Sequence, residues 1–495
     1  MRHLVWGVPT GHHPRMRLAG VTGCILVSAL GCGGTNNAGT DGGSTGSAES
    51  STGTPDPTTE GSSSGAADGS SSTSGNADSS STGDGESSTT GSETTGGAPD
   101  AFEAGFDVTE ISPNEGHLAL NVYMGAYGAP FLRGPAESVH DDVYIRSFAV
   151  GIGEEGFVAA VADLPGMGND FTQAIRARVA ADTGLPPEHV MIGTTHTHSG
   201  PDFQGLWGGG PSEYRDPVID EIVGSMNRAW LLRAPATLEV ASTTAPNSNR
   251  RDWPFTDDSV TLLLAHDERG ALMGSVGVFA AHPTVLGQSN LAISRDWCGG
   301  YVDTMEEQTG APSVLFAGIL GDASASTPPG EYADGFERAF AYGALIADEA
   351  LAVMPDAEPV STGLVIDHVT WTMPVENALF QIAAALDLLD YSFSEEGDGQ
   401  TVDTLGAYVR LGEQLQFVTF PGEPLTRAGL EIKEAMTAPH RAVLGQTGDS
   451  LGYFIPSDEW MTGRNDDYEE TVALHESAGD TAVEALVGLV EDDRF

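Results

Sequence analysis

The chain has 495 residues, of which 40% are hydrophobic, so it is long enough to bury one large core or two smaller ones. It has 71 acidic residues against 21 basic ones, and its formal net charge of -50 argues against nucleic acid as a partner, because phosphate backbones require a basic protein face. Only Cys298 lies beyond the first 32 residues, which excludes an internal disulfide framework or a cluster of thiolate metal ligands in the rest of the chain.

Residues 1–32 are typical of an export signal. Arg15 and Arg17 precede an apolar run over residues 18–30, which is too short to span a bilayer as a stable helix. The run ends in Ala-Leu-Gly-Cys, which resembles a bacterial lipobox, so Cys32 is predicted to carry a lipid anchor. An ordinary cleaved signal is the alternative. We therefore predict an exported protein, either anchored as a lipoprotein in the periplasm or at the cell surface, or secreted.

Residues 33–100 consist almost entirely of Ser, Thr, Gly, Asp, Glu and Ala and contain no aromatic residue. Such a segment cannot bury enough apolar surface to offset the entropy lost on ordering, which predicts a disordered tether. A folded domain is predicted to follow over residues 101–495.

Short apolar runs alternate with amphipathic segments through this domain. The predicted strands are residues 147–150, 157–162, 190–194, 237–241, 260–265, 275–280 and 313–318. The predicted helices are residues 172–181, 217–232, 297–308 and 333–353. Turn sequences at residues 153–156 and 267–270 indicate hairpins. We expect an α/β fold, in which a mixed sheet with flanking helices forms a single large catalytic domain.

Two histidines follow the predicted strand at residues 190–194. His196 and His198 are two positions apart, so an extended backbone points both rings to the same side. The chain breaks soon afterwards at Gly200-Pro201, and strand ends of this kind are where α/β sheets usually bind ligands. Neutral imidazole is a good zinc ligand, although a structural role, with one ring capping a carbonyl, is the alternative.

Three further strand ends carry polar side chains. His282 precedes a proline, Ser324 follows a Gly-Asp turn, and Glu423 follows a Pro-Gly break. Taken singly, each has an alternative: a buried hydrogen-bonded histidine, a simple turn, and a carboxylate favoured at a helix N-terminus. Two strand ends that both present a histidine favour a shared site, which a carboxylate could complete as a zinc ligand.

Together these segments resemble the neutral/alkaline non-lysosomal ceramidase family. Six anchors occur in order: residues 193–201, 249–250, 279–284, 321–324, 420–423 and 468–469. The resemblance implies a mixed α/β catalytic domain that holds one zinc ion and cleaves the amide of ceramide-like lipids to a sphingoid base and a fatty acid. The family's C-terminal β-sandwich is expected to be absent.

The resemblance also implies residue roles. His196, His282 and Glu423 are expected to be zinc ligands, with Tyr468 completing the site, although Trp460 could occupy the family's tyrosine position. The attacking group is expected to be zinc-bound water.

Three residues are expected to act beside the metal. His198 and Arg250 match residues that line the pocket and hold the substrate or its oxyanion, and His198 could pass a proton to the leaving amine. Ser324 matches the family's motif serine, either as a nucleophile or as a hydrogen-bond donor.

Two other functions stay open. One is a zinc hydrolase of another amide or ester, because the loop at residues 205–210 departs from the family's pattern. The other is a non-catalytic surface lipoprotein that binds a lipid or a glycan. In the main hypothesis the partner is a lipid amide substrate, membrane contact is made through Cys32, and no obligate protein partner is evident.

Overall fold

A computed structural model describes residues 101–127, 133–397 and 399–493. The predicted export signal, the predicted lipid-bearing Cys32 and the predicted tether over residues 33–100 lie outside these described residues. Within the described ranges, no helix is both long enough and apolar enough to cross a membrane.

The chain folds into a mixed α/β structure, as the sequence predicts. In chain order its strands are β1 (Glu103–Glu110), β2 (Ser138–Val139), β3 (Tyr144–Ile152), β4 (Glu155–Ala162), β5 (Val190–Thr194), β6 (Ala234–Thr244), β7 (Asn247–Asn249), β8 (Ser259–Asp267), β9 (Leu272–Phe279), β10 (Ala292–Ile293), β11 (Ser313–Ala317), β12 (Ala323–Ala325), β13 (Glu358–Pro359), β14 (Leu364–Pro374), β15 (Ser394–Glu396), β16 (Gly399–Leu411), β17 (Leu415–Thr419), β18 (Glu423–Pro424), β19 (His440–Leu444) and β20 (Tyr453–Phe454). Its α-helices are α1 (Glu115–Leu118), α2 (Asn169–Thr183), α3 (Ser212–Leu231), α4 (Trp297–Thr309), α5 (Gly335–Val353), α6 (Ala378–Ala385), α7 (Thr426–Ala435) and α8 (Ala478–Asp492).

The larger sheet has the strand order β11-β9-β8-β6-β1-β3-β4-β5, with β13 also paired to β6. Its two end pairs, β4 with β5 and β9 with β11, are parallel, whereas the pairs between them are antiparallel. A smaller sheet has the order β14-β16-β17-β19, with β15 paired to β16. Strands from both ends of the larger sheet, and β17 of the smaller one, lead into the predicted site segments.

The two sheets pack face to face, and helices cover their outer faces. Side chains alternate along β3, so that Phe148 faces the smaller sheet while Ile145 faces helices α2 and α3. Between the sheets, Phe148 meets Phe157 and Phe316 edge to face at centroid distances of 5.6 and 5.9 Å. Such pairs contribute about 0.5–1.5 kcal/mol each beyond the area they bury. Helices α4 and α5 cover more of the larger sheet, and α7 and α8 cover the smaller one.

The smaller sheet also joins the two ends of the larger one. The segment after β19 runs between them, where Gly445 N donates to Ala317 O at 2.8 Å and Thr194 N donates to Gln446 O at 3.1 Å. A Cβ on Gly445 would lie 2.4 Å from Gly318 O, so this approach requires glycine. The ends of β5, β11 and β17 are therefore brought to one region.

The predicted elements are confirmed, with boundaries that agree to within five residues. All seven predicted strands and four predicted helices coincide with observed ones, and both predicted turns connect antiparallel strands, β3 with β4 and β8 with β9. The sequence predicts no strand or helix between residues 354 and 411. Strand β14 lies at the edge of its sheet and most of its side chains are partly or fully exposed, so it lacks a continuous apolar run.

Candidate metal centre

His196 lies two residues beyond β5 in a strained backbone conformation. Its φ of 63° is in the left-handed region, which is unusual for a residue with a side chain and is common at functional sites. The His196 Nδ1 atom makes a short hydrogen bond with the Pro165 carbonyl. Because a carbonyl can only accept, Nδ1 carries the proton, and the lone pair on Nε2 is free to bind a cation.

His282 follows β9 and is held in the same way. Its Nδ1 donates to Ala323 O at 3.0 Å, and its backbone N–H donates to the same carbonyl at 3.0 Å. The His282 side chain is fully buried. The proton on Nδ1 again leaves the Nε2 lone pair free, so both rings present the atom that a metal ion would need.

Glu423 reaches these rings from β18. Its Oε2 lies 3.0 Å from His282 Nε2 and 3.5 Å from His196 Nε2. The third ring is His198, whose Nε2 lies 3.2 Å from His196 Nε2 and whose backbone N–H donates to Pro283 O at 3.1 Å. The side chains of these four predicted site residues therefore converge on one point, and all four are buried.

The spacing of these atoms matches that of the ligands of one metal ion. The three rings each offer a nitrogen, and these atoms lie within 4.8 Å of one another. Tetrahedral zinc ligands at about 2.0–2.1 Å from the metal lie about 3.3 Å from each other, and Glu423 Oε2 lies at a comparable 3.0 Å from His282 Nε2 and 3.5 Å from His196 Nε2. A set of imidazole nitrogens with one carboxylate oxygen suits zinc among the biological divalent ions.

The protonation states also suit a cation. Burial, with a contribution from the Arg250 charge, lowers the pKa of His282 to about 4, and burial among the other rings lowers the pKa of His198. Burial alone would raise the pKa of Glu423, but its closeness to His196 and His282 lowers it well below its usual value. Near neutral pH, His198 and His282 are therefore neutral and Glu423 is ionised, which are the forms that bind a metal.

Tyr453 lies beside these side chains, although no sequence motif points to it. Strand β20 pairs with β18 so that Tyr453 is opposite Glu423, and its hydroxyl lies 3.4 Å from His282 Nε2. Burial raises the pKa of Tyr453 well above its usual value, so the hydroxyl stays protonated. Its ring centroid lies 6.2 Å from that of Tyr468, so the predicted Tyr468 neighbours the site, and Trp460 packs in the same apolar cluster.

Arg250 is held beside Tyr453 by three hydrogen bonds. Its Nη2 donates to Tyr453 Oη at 2.8 Å and to Gly321 O at 2.6 Å, and its Nε donates to Glu469 Oε1 at 2.7 Å. Although burial opposes the charge, Tyr453, Glu469 and Glu423 raise the pKa of Arg250. The guanidinium therefore stays cationic at the edge of the centre.

Behind Arg250 lies a buried ion-pair network. Arg251 Nη1 contacts Glu469 Oε2 at 2.9 Å, and Arg251 Nη2 contacts Glu470 Oε1 at 3.1 Å. The side chains of Arg251 and Glu469 are fully buried. Glu469 thus bridges two arginines and fixes the position of Arg250.

Ser324 lies close to the centre along the backbone. It forms an isolated parallel bridge with His282, one residue after the carbonyl that holds the His282 ring. Its side chain is partly buried. Neither Ser324 nor Arg250 belongs to the described residues that line the cavity at this centre.

The cavity itself has a mainly apolar lining. His196, His198, Glu423 and Tyr453 occupy its polar end. The other lining residues are Ala126, Tyr127, Leu206, Trp207, Leu379, Phe380, Tyr468, Thr471 and Val472. Leu206 and Trp207 come from the loop at residues 205–210, whose sequence departs from the family's pattern, whereas Leu379 and Phe380 come from helix α6, which the sequence does not predict.

Comparisons with known proteins bear on the fold. No protein-family model matches the chain, and no curated protein matches it in sequence. Two solved structures match its fold at a TM-score of 0.66: neutral ceramidase from Pseudomonas aeruginosa, 18% identical and covering 80% of this chain and 75% of that one, and a ceramidase complexed with C2, 17% identical and covering 80% and 76%. The chain therefore has the fold of the neutral ceramidases, as the sequence resemblance predicts.

Proposed function

We propose that this protein is a zinc-dependent amidohydrolase that cleaves the N-acyl amide of ceramide-like lipids. The observation that carries the proposal is the convergence of His196, His282 and Glu423 at the polar end of an apolar cavity. The similarity to two ceramidase structures supports the same reaction class. A buried cluster of three histidines supports a metal ion, and the mixed nitrogen and oxygen donors favour zinc, one per chain.

We assign the metal ligands from the hydrogen bonds behind each ring. Metal-bound histidines almost always anchor their second nitrogen, as His196 and His282 do through Pro165 and Ala323. His198 Nδ1 is buried and has no hydrogen-bond partner among the described residues, so we assign His198 to the substrate. The tyrosine assignment moves from Tyr468 to Tyr453, because the Tyr453 hydroxyl is 3.4 Å from His282 Nε2.

A bound zinc ion would supply a Lewis acid that polarises the amide carbonyl and acidifies water. The protein supplies the remaining functions. The neutral His198 ring can accept the proton of the attacking water and donate it to the departing amine nitrogen. Tyr453 Oη is the hydrogen-bond donor for the oxyanion that develops on the carbonyl oxygen, and Arg250, which donates to Tyr453 Oη at 2.8 Å, keeps that hydroxyl in place. Ser324, which bridges the backbone of His282 and does not line the cavity, is not the nucleophile in this scheme.

The lining of the cavity favours a lipid substrate. Leu206, Trp207, Phe380 and Val472 provide an apolar wall beside the polar end, which suits an acyl or sphingoid chain. A second candidate is hydrolysis of another amide or ester at the same site. The apolar loop at residues 205–210 favours it, because this loop departs from the family's pattern. We further propose that the protein is exported and is anchored through Cys32, as its N-terminal sequence indicates.

The test is an assay of the full-length chain with a fluorogenic N-acylsphingosine, together with metal content by mass spectrometry. We expect cleavage and about one zinc per chain. Zinc without cleavage, followed by turnover of another amide in a substrate panel, would favour the second candidate. A chain that holds no zinc and cleaves none of the substrates would contradict the proposed function.

A further inference from the structure

Helix α6 presents an apolar face to solvent beside the cavity. Four large apolar side chains within ten residues, Leu379, Ile382, Leu386 and Leu388, are between 41% and 49% exposed. They make up four of the eleven exposed large apolar side chains in the described part of the chain. The first three have helical spacing along one face. Such a concentration marks a surface that meets something apolar.

The opposite face of α6 is also apolar. Phe380 is buried, and Ala383 and Ala384 pack against the core between the smaller sheet and helix α8. The uncharged run extends from Asn377 to Leu386 in a chain with 71 acidic residues. A surface helix of a globular protein normally has a polar outer face. Because the outer face of α6 is apolar instead, it indicates an apolar environment outside this helix.

Both ends of this segment are fixed to the mouth of the cavity. At the start, Asn377 Nδ2 donates to Thr471 O and Ala473 O at 3.1 and 2.9 Å, next to cavity-lining Val472. Beyond the other end, Asp390 N donates to Gln204 O at 2.9 Å, close to the loop that carries Trp207. The exposed face is therefore continuous with the cavity wall through Leu379, which belongs to both.

The charge of the region limits what can lie against α6. No lysine or arginine occurs between Arg338 and Arg410, and the whole chain has a formal charge of -50. An anionic lipid surface would be repelled, since membrane-binding segments of that type depend on clustered basic residues. An electrically neutral or zwitterionic surface carries no such penalty.

We propose that α6 docks the protein on a neutral or zwitterionic lipid surface, so that a lipid amide passes from that surface along Leu379 into the cavity. The choice of this occupant rests on the proposed function. Ile382 and Leu386 enter the hydrocarbon boundary of the surface, and the cavity mouth faces it. Contact with the membrane then has a second source besides the predicted anchor at Cys32.

The test compares two matched double variants of the full-length chain. I382Q/L386Q removes the exposed apolar side chains of Ile382 in α6 and of Leu386 directly after it. L231Q/L232Q removes two at the C-terminal end of α3, which are 77% and 59% exposed. Glutamine preserves helix propensity. Both variants keep the same N-terminal residues, so any contribution of Cys32 cancels. Circular dichroism and the thermal midpoint confirm that both are folded.

Sedimentation with phosphatidylcholine vesicles gives the direct readout. We expect I382Q/L386Q to bind the vesicles about tenfold more weakly than the parent, because the parent buries the exposed half of each of these two side chains in the lipid. L231Q/L232Q should bind like the parent. Equal binding by all three proteins would overturn the proposal. Tighter binding of the parent to phosphatidylglycerol vesicles, or a parent dimer that I382Q/L386Q converts to monomer, would overturn it as well.

A kinetic comparison separates this inference from the proposed function. On vesicle-borne N-acylsphingosine, kcat/KM should fall about tenfold in I382Q/L386Q, while kcat/KM on a short-chain monomeric analogue stays unchanged. Loss of kcat/KM on both substrates would assign α6 a structural role and overturn the docking proposal. If the parent cleaves neither substrate, the proposed function fails, and vesicle binding alone still decides the role of α6.

Discussion

Nε2 of His282 lies 3.0 Å from Oε2 of Glu423, although 141 residues separate them in the chain. The side chains of both residues are buried, at 0% and 6% exposure. Burying a carboxylate among polar rings carries a desolvation cost that burial of apolar side chains would avoid. The buried carboxylate of Glu423, placed where the two sheets meet, therefore indicates a site that binds a cation.

The first prediction concerns the metal ligands. His282→Ala and Glu423→Gln should each lose the zinc and the hydrolytic activity, because each removes a donor from a set that has few replacements. Mass spectrometry and the amidase assay measure both effects. His368→Ala is the matched control, since His368 is exposed on β14 and its replacement should leave the zinc and the activity unchanged.

Ser324→Ala should keep the metal and most of the activity. Loss of activity with zinc retained would instead identify Ser324 as the nucleophile.

The two tyrosines should differ in their contributions. Tyr453→Phe removes the hydroxyl that lies 3.4 Å from His282 Nε2, and we expect kcat to fall by about 10²–10³. Tyr468→Phe should lower kcat less than tenfold, because Tyr468 adjoins Tyr453 by ring packing. Steady-state kinetics at saturating zinc makes the comparison. A greater loss in Tyr468→Phe would restore the ligand assignment that the sequence predicts.

His198 should separate catalysis from metal binding. His198→Gln should retain about one zinc per chain while kcat falls by about 10²–10⁴, the usual contribution of a general acid–base group. Metal content and kcat are measured on the same preparation. If the zinc is lost together with the activity, His198 is a ligand and the assignment from its unbonded Nδ1 is wrong.

The network behind Arg250 should be a positioning device. Glu469→Gln leaves Arg250 and Arg251 without the carboxylate that they share, and we expect the free energy of unfolding to fall by about 3–5 kcal/mol. Urea denaturation measures this change. Adding Arg251→Met should not recover the stability, because Arg251 still pairs with Glu470 at 3.1 Å and its loss leaves that buried carboxylate unpaired as well.

Activity in these variants distinguishes positioning from simple structural support. The double variant should stay slower than the parent even where both are fully folded, since Arg250 has lost its Glu469 contact. A folded double variant with the parent's kcat would mean that Arg250 does not need Glu469.

The loop before Tyr453 contains a carboxyl group with an unusual pH response. Burial raises the pKa of Asp449 from 3.8 to about 7. Between these values the folded chain holds a proton that the unfolded chain has released, so the contribution of Asp449 to stability is full below pH 3.8 and is lost as the pH rises through 7. The slope is about 1.4 kcal/mol per pH unit. Asp449→Asn should remove this slope and gain stability relative to the parent as the pH rises from 4 to 7.

Asp493 provides a control of opposite sign. Although its partial burial opposes ionisation, the hydrogen bonds from Arg410 and Tyr408 lower its pKa, so its contribution is present above pH 3.8 and is lost as the pH falls through the lowered pKa. Asp493→Asn should therefore lose stability at neutral pH. Urea midpoints of the parent and both variants at pH 4, 5.5 and 7 make the test. Parallel curves for the parent and Asp449→Asn would show that the carboxyl titrates normally.

The sequence by itself determined the elements and singled out most of the residues that meet at the candidate site. Apolar runs bounded by turns located the strands, because side-chain alternation and strand length depend on local composition. The pattern of polar residues at strand ends singled out His196, His198, His282 and Glu423, whose side chains the structure brings together. The order of these anchors also indicated the fold, which the two solved ceramidase structures confirm.

The sequence did not identify Tyr453. It follows a loop with no distinctive motif, and its place opposite Glu423 comes from the pairing of β20 with β18. Tyr468, which belongs to a recognisable anchor, lies one ring further along the same cluster. Strand pairing between distant segments depends on the whole fold, so the choice between two nearby tyrosines could not be made from their local sequences.

Only the tertiary structure decided that the strand ends meet. His196 follows one end strand of a long sheet and His282 follows a strand at the other end, and strand order alone would hold them far apart. The Gly445–Gln446 segment joins both ends through backbone hydrogen bonds and brings the smaller sheet with Glu423 into the same place. The same packing sets the apolar helix α6 beside the cavity. These are contacts between residues distant in sequence, which depend on how whole layers pack and leave no local pattern in the chain.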